Sequence, residues 1–323
     1  MLLATLDDGT RDGRLVIVSE DHVSAVKAAC ANSLLEALEN WKECEPLLRR
    51  QAATVASNTD GRFAFDPHAA SAPLPRAPQW LDASAYRTHS ELVAQAWQIP
   101  NPFNDSIPLM YQGASDDFRP AHGPSYLPDE SHEIDLEAEI AVIVDDVPLG
   151  VSSEAALRHI KLVMLANDVS LRAFGPAEFK AGFGFIQAKP STVFSPWAVT
   201  PDALGVNWAG GRFHGPVPVH VSGAWIGSPN ARHMAFSFGD LIAHAAKTRR
   251  LRAGTIVGSG TIADPDRNAG SATLAEVRAV EKINYGDPRT PFLKFGDRVS
   301  IEALDATEKT IFGRIDHPIL RSA

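Results

Sequence analysis

Cysteine and long apolar runs are scarce in this chain of 323 residues. Its two cysteines, Cys30 and Cys44, are too few for a disulfide framework and lack metal-ligand spacing, which favours a reducing compartment. No run approaches the roughly 18 apolar residues that span a bilayer, and the acidic N-terminus "MLLATLDDGTRDG" lacks the positive charge of a signal peptide. We therefore expect a cytoplasmic protein with no membrane partner.

Positive charge is also in deficit. The chain has 30 Lys and Arg against 39 Asp and Glu, a formal net charge of −9 at pH 7. Proteins that bind nucleic acids or anionic membranes carry clustered Lys and Arg, so we expect neither partner. The glycine-rich "GSGTI" matches neither common phosphate-binding pattern, G-x-x-x-x-G-K-[ST] or G-x-G-x-x-G. An anionic small molecule is compatible with this balance where positive charge is concentrated locally.

Proline divides the chain into two parts. Four prolines interrupt the segment "FDPHAASAPLPRAPQW", so neither a helix nor a strand runs through it. We place a domain boundary there, between a small N-terminal α/β domain over 1–76 and a larger domain over 77–323. In the smaller domain, "LLATL" and "RLVIVS" predict a hairpin. The apolar spacing over 23–45 predicts an amphipathic helix, with Pro46 starting a new turn.

The larger domain is rich in short strand-like runs. "AEIAVIVDD", "PVPVHVSG", "GTIVGSGTIA" and "DRVSIEAL" predict strands separated by Gly- and Pro-rich turns, with helices near 153–166 and 239–250. The pattern predicts an α+β fold that is mostly β. The polar, proline-rich segment 95–130 is long for a connection and predicts either a functional lid or an irregular surface loop.

Two glutamates stand inside the apolar stretch "IDLEAEIAVIVDD" at 134–146. In a strand the apolar residues fall on one face, and Glu137 and Glu139 share the other. Carboxylates on such positions lie roughly 6.5–7 Å apart along the strand, which suits a hard cation with oxygen ligands from several segments. The alternative interpretation is the solvated face of an edge strand.

Two further acids are suggestive. Asp168 ends the apolar run 162–166, a common way to present a carboxylate at a cleft, although any strand or helix can end in an acid. Asp82 follows Trp80 and Leu81 and precedes His89 by seven residues, and taken alone it is equally suited to capping a helix.

Taken together, the patterns D-x6-H, E-x-E, "NDVSLR" and "GSGTIAD" resemble the fumarylacetoacetate hydrolase family over roughly residues 80–320. The first 75 or so residues resemble the small N-terminal domain of a short bacterial branch of that family. The resemblance implies a mixed β-roll catalytic domain and a homodimer. It also implies that Mg²⁺, Ca²⁺ or Mn²⁺ is held by Asp82, Glu137, Glu139 and Asp168. A carboxylate set without Cys or clustered His agrees with a hard cation and argues against zinc.

The resemblance implies further roles. His89 would be the general base that activates water, oriented by Glu276 or, as a second candidate, by Glu281. Lys189 in "QAKPS" would stabilise developing negative charge near the metal. Substrate-binding roles fall on Arg87, Arg172 and Thr261, although both arginines are equally suited to pairing with acids. Gly175 stands where the best-known members have a substrate-contacting Gln, which leaves the substrate open.

The implied reaction is metal-dependent hydrolysis of a carbon–carbon bond in a small anionic β-diketo acid. Fumarylacetoacetate, cleaved to fumarate and acetoacetate in aromatic amino-acid catabolism, is the first candidate substrate. Acylpyruvate hydrolases, oxaloacetate decarboxylases and 2-oxo-dienoate hydratases or isomerases of the same family are alternatives, and a complete His–Glu pair favours water activation. A non-catalytic binding protein stabilised by a metal is the alternative from another class.

Overall fold

The computed structural model describes residues 1–323, and its helices and strands confirm the predicted mixed α+β class. The strands are β1 (Leu2–Leu6), β2 (Arg14–Val18), β3 (Ser24–Lys27), β4 (Phe63–Ala64), β5 (Trp80–Ala83), β6 (Met110–Gly113), β7 (Ser125–Leu127), β8 (Ile134–Asp135), β9 (Ala138–Val144), β10 (Ile160–Asp168), β11 (Ser170–Leu171), β12 (Thr192–Phe194), β13 (Trp197–Val199), β14 (Trp208–Ala209), β15 (Arg212–Phe213), β16 (Val219–Val221), β17 (Ala224–Gly227), β18 (Ile256–Gly258), β19 (Arg298–Ile301) and β20 (Ile315–Arg321). The helices are α1 (Leu34–Glu39), α2 (Trp41–Thr54), α3 (Arg87–Trp97), α4 (Ser153–Ala156), α5 (Gly175–Ala181), α6 (Phe238–Ala245) and α7 (Leu274–Tyr285). None of the helices has the length and apolar composition that crossing a bilayer requires.

Two larger sheets organise the chain. The first has the order β4-β3-β2-β1-β13-β10-β9-β18-β5-β6, with β12 pairing to β10, and the second has the order β17-β16-β19-β20-β7. The strand β9 lies in the middle of the first sheet and is buried along its whole length. The interpretation of 134–146 as an edge strand with a solvated face is therefore wrong.

The side chains of β9 alternate between two hydrophobic cores. Ile140, Val142 and Val144 belong to the larger core, whereas Ala141 and Ile143 belong to the smaller one. Leu136 and Ala138 also enter the larger core, which confirms the predicted apolar face. By the same alternation Glu139 lies on the side of the smaller core, because side chains along a strand point to opposite faces in turn.

The N-terminal strands extend the large sheet. The predicted hairpin is confirmed, with β1 and β2 paired antiparallel, and β1 also pairs with β13. The smaller core combines Leu3, Leu34 and Trp41 with residues of the later strands. The sheet and the core thus both cross the predicted boundary after residue 76, and the division into two domains stays a prediction.

The predicted helix over 23–45 is partly wrong. Residues Ser24–Lys27 form β3, which pairs with β2, and helical structure begins only at Leu34. Pro46 lies inside α2 and does not start a new turn. Burial of Trp41, Cys44 and Leu48 holds the helix through this proline, although Pro removes a backbone donor. Tertiary packing has overridden the local signal.

The helix predicted over 153–166 is also mostly wrong. It ends at Ala156 as α4, and residues 160–168 form the central strand β10. A strand buried on both faces has a continuous apolar run that periodicity alone does not distinguish from a buried helix. The helix predicted over 239–250 is confirmed as α6 but ends at Ala245, before the basic segment "KTRR".

Candidate metal and catalytic site

Four carboxylates meet at one edge of the central strands. Asp82 lies in β5, Glu139 in β9 and Asp168 at the end of β10, and Glu137 immediately precedes β9. All four are buried, and one oxygen from each lies within 4.8 Å of the others. This separation is shorter than the strand repeat predicts, because the side chains converge. We call these four residues the carboxylate cluster.

The carboxylate cluster is electrostatically strained without a cation. Burial raises the pKa of Asp82 above its ordinary value, and Asp168 raises it further. Burial likewise raises the pKa of Glu139, with Asp82 and Asp168 adding to the effect. Burial alone would also raise the pKa of Glu137, but Lys189 and the Arg172 guanidinium outweigh it and hold that pKa below its usual range. Lys189 and Arg172 therefore supply positive charge on the side of the cluster that holds Glu137. The side that holds Asp82 and Glu139 has no paired cation.

The unsatisfied side fits a hard divalent cation. Asp82 Oδ1 and Glu139 Oε1 are buried and accept no hydrogen bond, a costly arrangement for charged oxygens unless another partner is bound. Gly258 in β18 leaves room beside them: a Cβ atom there would lie 2.3 Å from Asp82 Oδ1 and 2.9 Å from Glu139 Oε2. An all-carboxylate donor set suits Mg²⁺, Mn²⁺ or Ca²⁺.

A histidine and a glutamate form the second part of the site. His89 lies in the first turn of α3, and its Nδ1 is 2.8 Å from Glu276 Oε1 in the first turn of α7. The two helices pack through Leu92, Ala96 and Ala279. We call His89 and Glu276 the His–Glu pair. The second candidate, Glu281, instead accepts from the backbone N–H groups of Arg289 and Thr290, so the contacts favour Glu276.

Comparisons with known proteins identify the family. A sequence model described as Fumarylacetoacetate (FAA) hydrolase C-terminal matches residues 79–319, and one described as Fumarylacetoacetase N-terminal domain 2 matches residues 1–76. The chain belongs to the fumarylacetoacetate hydrolase family. The relatives and solved structures that match this chain include proteins named as hydrolases, as an isomerase and as a tautomerase.

Individual relatives are distant. The fumarylacetoacetase of Caenorhabditis elegans is 25% identical over 255 residues, which cover 70% of this chain and 58% of that protein. The chain spans about half the length of the curated relatives it matches, between 49% and 58% for the first four.

Solved structures share the fold over the whole of both chains. A putative HpcE protein from Mycobacterium smegmatis matches with a TM-score of 0.70 at 18% identity. A maleylpyruvate hydrolase from Sphingobium sp. SYK-6, in complex with manganese(II) ion and pyruvate, matches with a TM-score of 0.67 at 16% identity. At these identities the likeness shows the fold alone.

Lys189 lies against the carboxylate cluster, as the family resemblance implies. Its ammonium donates to Glu137 Oε2 at 2.7 Å and lies 2.8 Å from Asp168 Oδ2. Burial lowers the pKa of Lys189, but Asp168 and Glu137 outweigh it and raise that pKa, so the group stays charged. Its role in stabilising negative charge stays a prediction.

The three predicted substrate-binding residues are placed differently. Arg172 reaches the cluster, with Nη2 2.6 Å from Glu137 Oε1. Thr261 follows β18 and is buried, and its neighbour Gly260 donates its backbone N–H to Glu139 Oε2 at 3.2 Å. The Arg87 guanidinium instead pairs with Asp105 and lies over the Phe103 ring. The structure therefore brings two of the three to the cluster, and their substrate contacts stay predictions.

Two hydroxyl groups that sequence reasoning missed bind Asp168. The Tyr111 hydroxyl donates to Oδ2 at 2.7 Å and the Thr192 hydroxyl donates to Oδ1 at 2.7 Å. Tyr111 lies on β6 directly opposite Asp82, and Thr192 on β12 directly opposite Asp168. Only the strand pairing places them here, and no local sequence pattern marks either residue.

A buried amide and imidazole were also missed. Asn167 accepts from the Glu137 backbone N–H at 3.0 Å and donates to His317 Nε2 at 2.9 Å. His317 lies on β20 of the second sheet, and Ser125 is 3.1 Å from its other ring nitrogen. Burial lowers the pKa of His317 to about 4, so the ring is neutral and able to accept from Asn167. This bridge joins the second sheet to the backbone of the cluster.

Proposed function

We propose that this family member is a metal-dependent hydrolase that cleaves a carbon–carbon bond in a β-diketo acid, with fumarylacetoacetate as the leading substrate. The observation that carries the proposal is the presence of both the carboxylate cluster and the His–Glu pair. Decarboxylation or isomerisation of a 2-oxo acid needs no activated water, whereas hydrolysis does. The relatives named fumarylacetoacetase support this choice.

The residues of the carboxylate cluster would hold the cation. When bound, Mg²⁺, Mn²⁺ or Ca²⁺ polarises carbonyl oxygens and stabilises the negative charge that develops on them. The manganese ion in the Sphingobium hydrolase complex supports a divalent metal, and the pyruvate there supports a small 2-oxo acid as ligand. Lys189, Arg172 and a divalent cation supply four positive charges against the four carboxylates of the cluster and Asp135, with which Arg172 also pairs. They therefore reduce the repulsion that an anionic substrate meets at the cluster.

The His–Glu pair would move the proton. Glu276 accepts the Nδ1 proton of His89, which leaves Nε2 as the acceptor for a proton from water. The water oxygen attacks the carbonyl carbon at the bond that breaks. The electron pair of that bond leaves with the other carbon, which then takes up the proton held at Nε2. Glu276 stabilises the imidazolium that exists between these two steps.

Lys189 would stabilise the oxyanion. An ammonium group has three donors, and Glu137 and Asp168 occupy two of them. The third remains for a substrate oxygen that gains negative charge, and burial in a site of low dielectric strengthens that interaction.

An acylpyruvate is the second candidate substrate. Fumarylacetoacetate carries a second carboxylate at its far end, and Arg87, one of the predicted substrate-binding residues, is already paired with Asp105. Gly175 offers no side chain where the best-known members have Gln. Both observations favour a substrate without the second charge.

We further propose that the protein is a cytoplasmic homodimer. Light scattering of the purified chain tests the homodimer by measuring the mass of the particle in solution.

The test is a panel of substrates given to chelator-stripped protein. Loss of the diketo absorbance of fumarylacetoacetate and of acylpyruvates, and loss of oxaloacetate, are each followed with and without added Mg²⁺. Metal-restored cleavage of fumarylacetoacetate supports the leading substrate, and cleavage of acylpyruvates alone supports the second. Metal-dependent loss of oxaloacetate alone contradicts the hydrolase. No turnover of any of them favours the alternative of a binding protein stabilised by its metal.

A further inference from the structure

The carboxylate of Asp135 is the most heavily bonded buried acid near the site. Asp135 ends β8, two residues before Glu137, and is completely buried. It accepts from the backbone N–H groups of Leu274 and Ala275 at 2.9 and 3.0 Å and from the Thr273 hydroxyl at 2.7 Å. It also accepts from Arg172 Nε at 2.9 Å. Four donors from two distant segments converge on one side chain.

These contacts fix where α7 begins. The first N–H groups of a helix have no partner within the helix, and a carboxylate at that end is favoured by both hydrogen bonding and the helix dipole. Thr273 is the N-cap of α7 and accepts from the backbone N–H of Ala275. Asp135, which lies on β8, supplies a second acceptor for the same N–H. Glu276 lies three residues after Thr273 in the same first turn. The position of Glu276 therefore depends on the anchor at Asp135.

Arg172 extends the connection to the carboxylate cluster. The same guanidinium that donates to Asp135 also lies 2.6 Å from Glu137 Oε1 and donates to the Thr273 hydroxyl at 3.1 Å. A chain of direct contacts thus runs from Glu137 through Arg172 and Asp135 to the start of α7, and from there to His89. No other acid in the structure bonds both to the helix that carries Glu276 and to a cation on the cluster.

We propose that Asp135 is a positioning residue that sets the His–Glu pair at its working distance from the carboxylate cluster. The proposal rests on the proposed function, because the distance matters only if His89 acts on a water beside the cluster. Displacement by about 1 Å is enough to lower turnover on the order of 100-fold. Asp135 lies outside the carboxylate cluster and is completely buried, so it acts through Glu276.

The first experiment separates kcat from KM and from metal affinity. In Asp135→Asn the donors that face the lost oxygen meet an amide, so α7 shifts. We expect kcat to fall by about 100-fold, with KM for substrate and Kd for Mg²⁺ unchanged to within about twofold. The matched control is Asp240→Asn, which alters the capping box of α6, where the Asp240 carboxylate accepts hydrogen bonds from Ser237 away from the site. Equal losses of kcat in the two variants would overturn the proposal.

A double-mutant cycle distinguishes positioning from general loss of stability. If Asp135 acts through Glu276, then Asp135→Asn lowers kcat by no more than about twofold in a Glu276→Gln background. Additive losses would overturn the proposal. Should Asp135→Asn fail to fold, Thr273→Val removes the hydroxyl that joins Asp135 to Arg172 at nearly constant volume, and the same cycle is run with it.

A measurement made without substrate distinguishes the positioning role of Asp135 from the proposed function. Because Glu276 lies 2.8 Å from Nδ1 of His89, we expect the proton on that nitrogen to give a slowly exchanging imidazole resonance in proton NMR. We expect it to be present in the wild type and in Asp240→Asn and lost in Asp135→Asn. If the wild type turns over no β-diketo acid while this pattern is found, the proposed function fails, whereas the anchoring of the His–Glu pair by Asp135 stands. A resonance retained in Asp135→Asn overturns the positioning role.

Discussion

The carboxylate cluster lies on neighbouring strands of the central sheet, whereas the His–Glu pair lies on two helices that come from segments 187 residues apart. Strand pairing fixes the first directly, because Glu139 lies opposite Ala166 and Gly258 lies opposite Ala141 in register. Helix packing fixes the second through Leu92, Ala96 and Ala279. We infer that the cluster tolerates little change of shape and that the pair depends on how α7 is anchored.

The largest expected effect is on the carboxylate cluster. Glu139→Gln removes a ligand carboxylate and puts an amide in a space shared with Asp82. We expect Mg²⁺ affinity to fall by at least about 100-fold, and turnover with it. Isothermal titration of chelator-stripped protein measures the affinity. Glu178→Gln is the matched control, because Glu178 accepts backbone N–H groups in the loop that follows α5. Normal Mg²⁺ affinity in Glu139→Gln would contradict the assigned ligand set.

The next effect belongs to the His–Glu pair. In His89→Ala the proton acceptor is lost, so we expect turnover to fall by about 10²–10⁴-fold. Mg²⁺ affinity should not change, because His89 contributes no oxygen ligand. His244→Ala, a histidine on α6 outside the site, is the control and should keep full turnover. Weakened metal binding in His89→Ala would show that the two parts of the site are not separable in this way.

The metal-free protein should respond to pH through the carboxylate cluster. The folded-state pKa values of Asp82 and Glu139 are raised, so the stability they contribute is complete below the unfolded pKa of about 4 and is lost as the pH rises through their folded pKa values. Glu137, whose pKa is lowered, adds no slope above about pH 5. We expect the free energy of unfolding of chelator-stripped protein to fall between pH 5 and neutral, by up to about 1.4 kcal/mol per pH unit for each titrating group, and the Tm to fall with it.

The control for this pH profile is saturating Mg²⁺, which supplies the missing positive charge and should flatten the slope. Glu139→Gln should also flatten it in part, since one titrating group is removed. A Tm of the metal-free wild type that rises with pH over this interval would mean that the cluster is not the dominant source of pH dependence.

The smallest effect concerns a hydroxyl group beside the cluster. Tyr111→Phe removes a donor to Asp168 but leaves the Thr192 donor in place. Hydrogen bonds to charged groups contribute about 1.5–3 kcal/mol. We expect Mg²⁺ affinity to fall by about tenfold, which corresponds to the lower end of that range, because Lys189 also remains bound to Asp168. The change should appear in metal titrations and leave the His89 imidazole resonance unaltered. Altered exchange of the His89 imidazole proton in Tyr111→Phe would indicate that the carboxylate cluster and the His–Glu pair are coupled. Their positions on strands and on helices, respectively, do not predict such coupling.

The sequence predicted the cluster better than the pair. Period-2 alternation around Glu137 and Glu139 depends on neighbours one and two residues away, so it is visible without a structure. The partnership of His89 with Glu276 depends on the packing of α3 against α7, and only the family resemblance suggested it. Tyr111, Thr192 and His317 had no signal at all. Tyr111 and Thr192 reach the site because their strands pair with β5 and β10, and His317 reaches it from the second sheet through a hydrogen bond with Asn167.

The errors in the predicted fold also arise from contacts that are distant in sequence. The helix predicted over 153–166 overlaps β10, because a strand buried on both faces shows no alternation that would distinguish it from a helix. The new turn predicted at Pro46 is wrong because the local rule does not include the burial of Trp41 and Leu48 on either side of it. Where local preference and tertiary burial agreed, as in the β1–β2 hairpin, the prediction was confirmed.

The central claim is that the His–Glu pair adds water to a substrate held at the carboxylate cluster. The most direct test is turnover of the active diketo acid in ¹⁸O-labelled water with Mg²⁺, followed by mass spectrometry of the acid products. The account predicts one ¹⁸O atom in the carboxylate that forms at the cleaved bond, and none without metal or in His89→Ala. Turnover that leaves every product carboxylate unlabelled would contradict it and assign the site to decarboxylation or isomerisation.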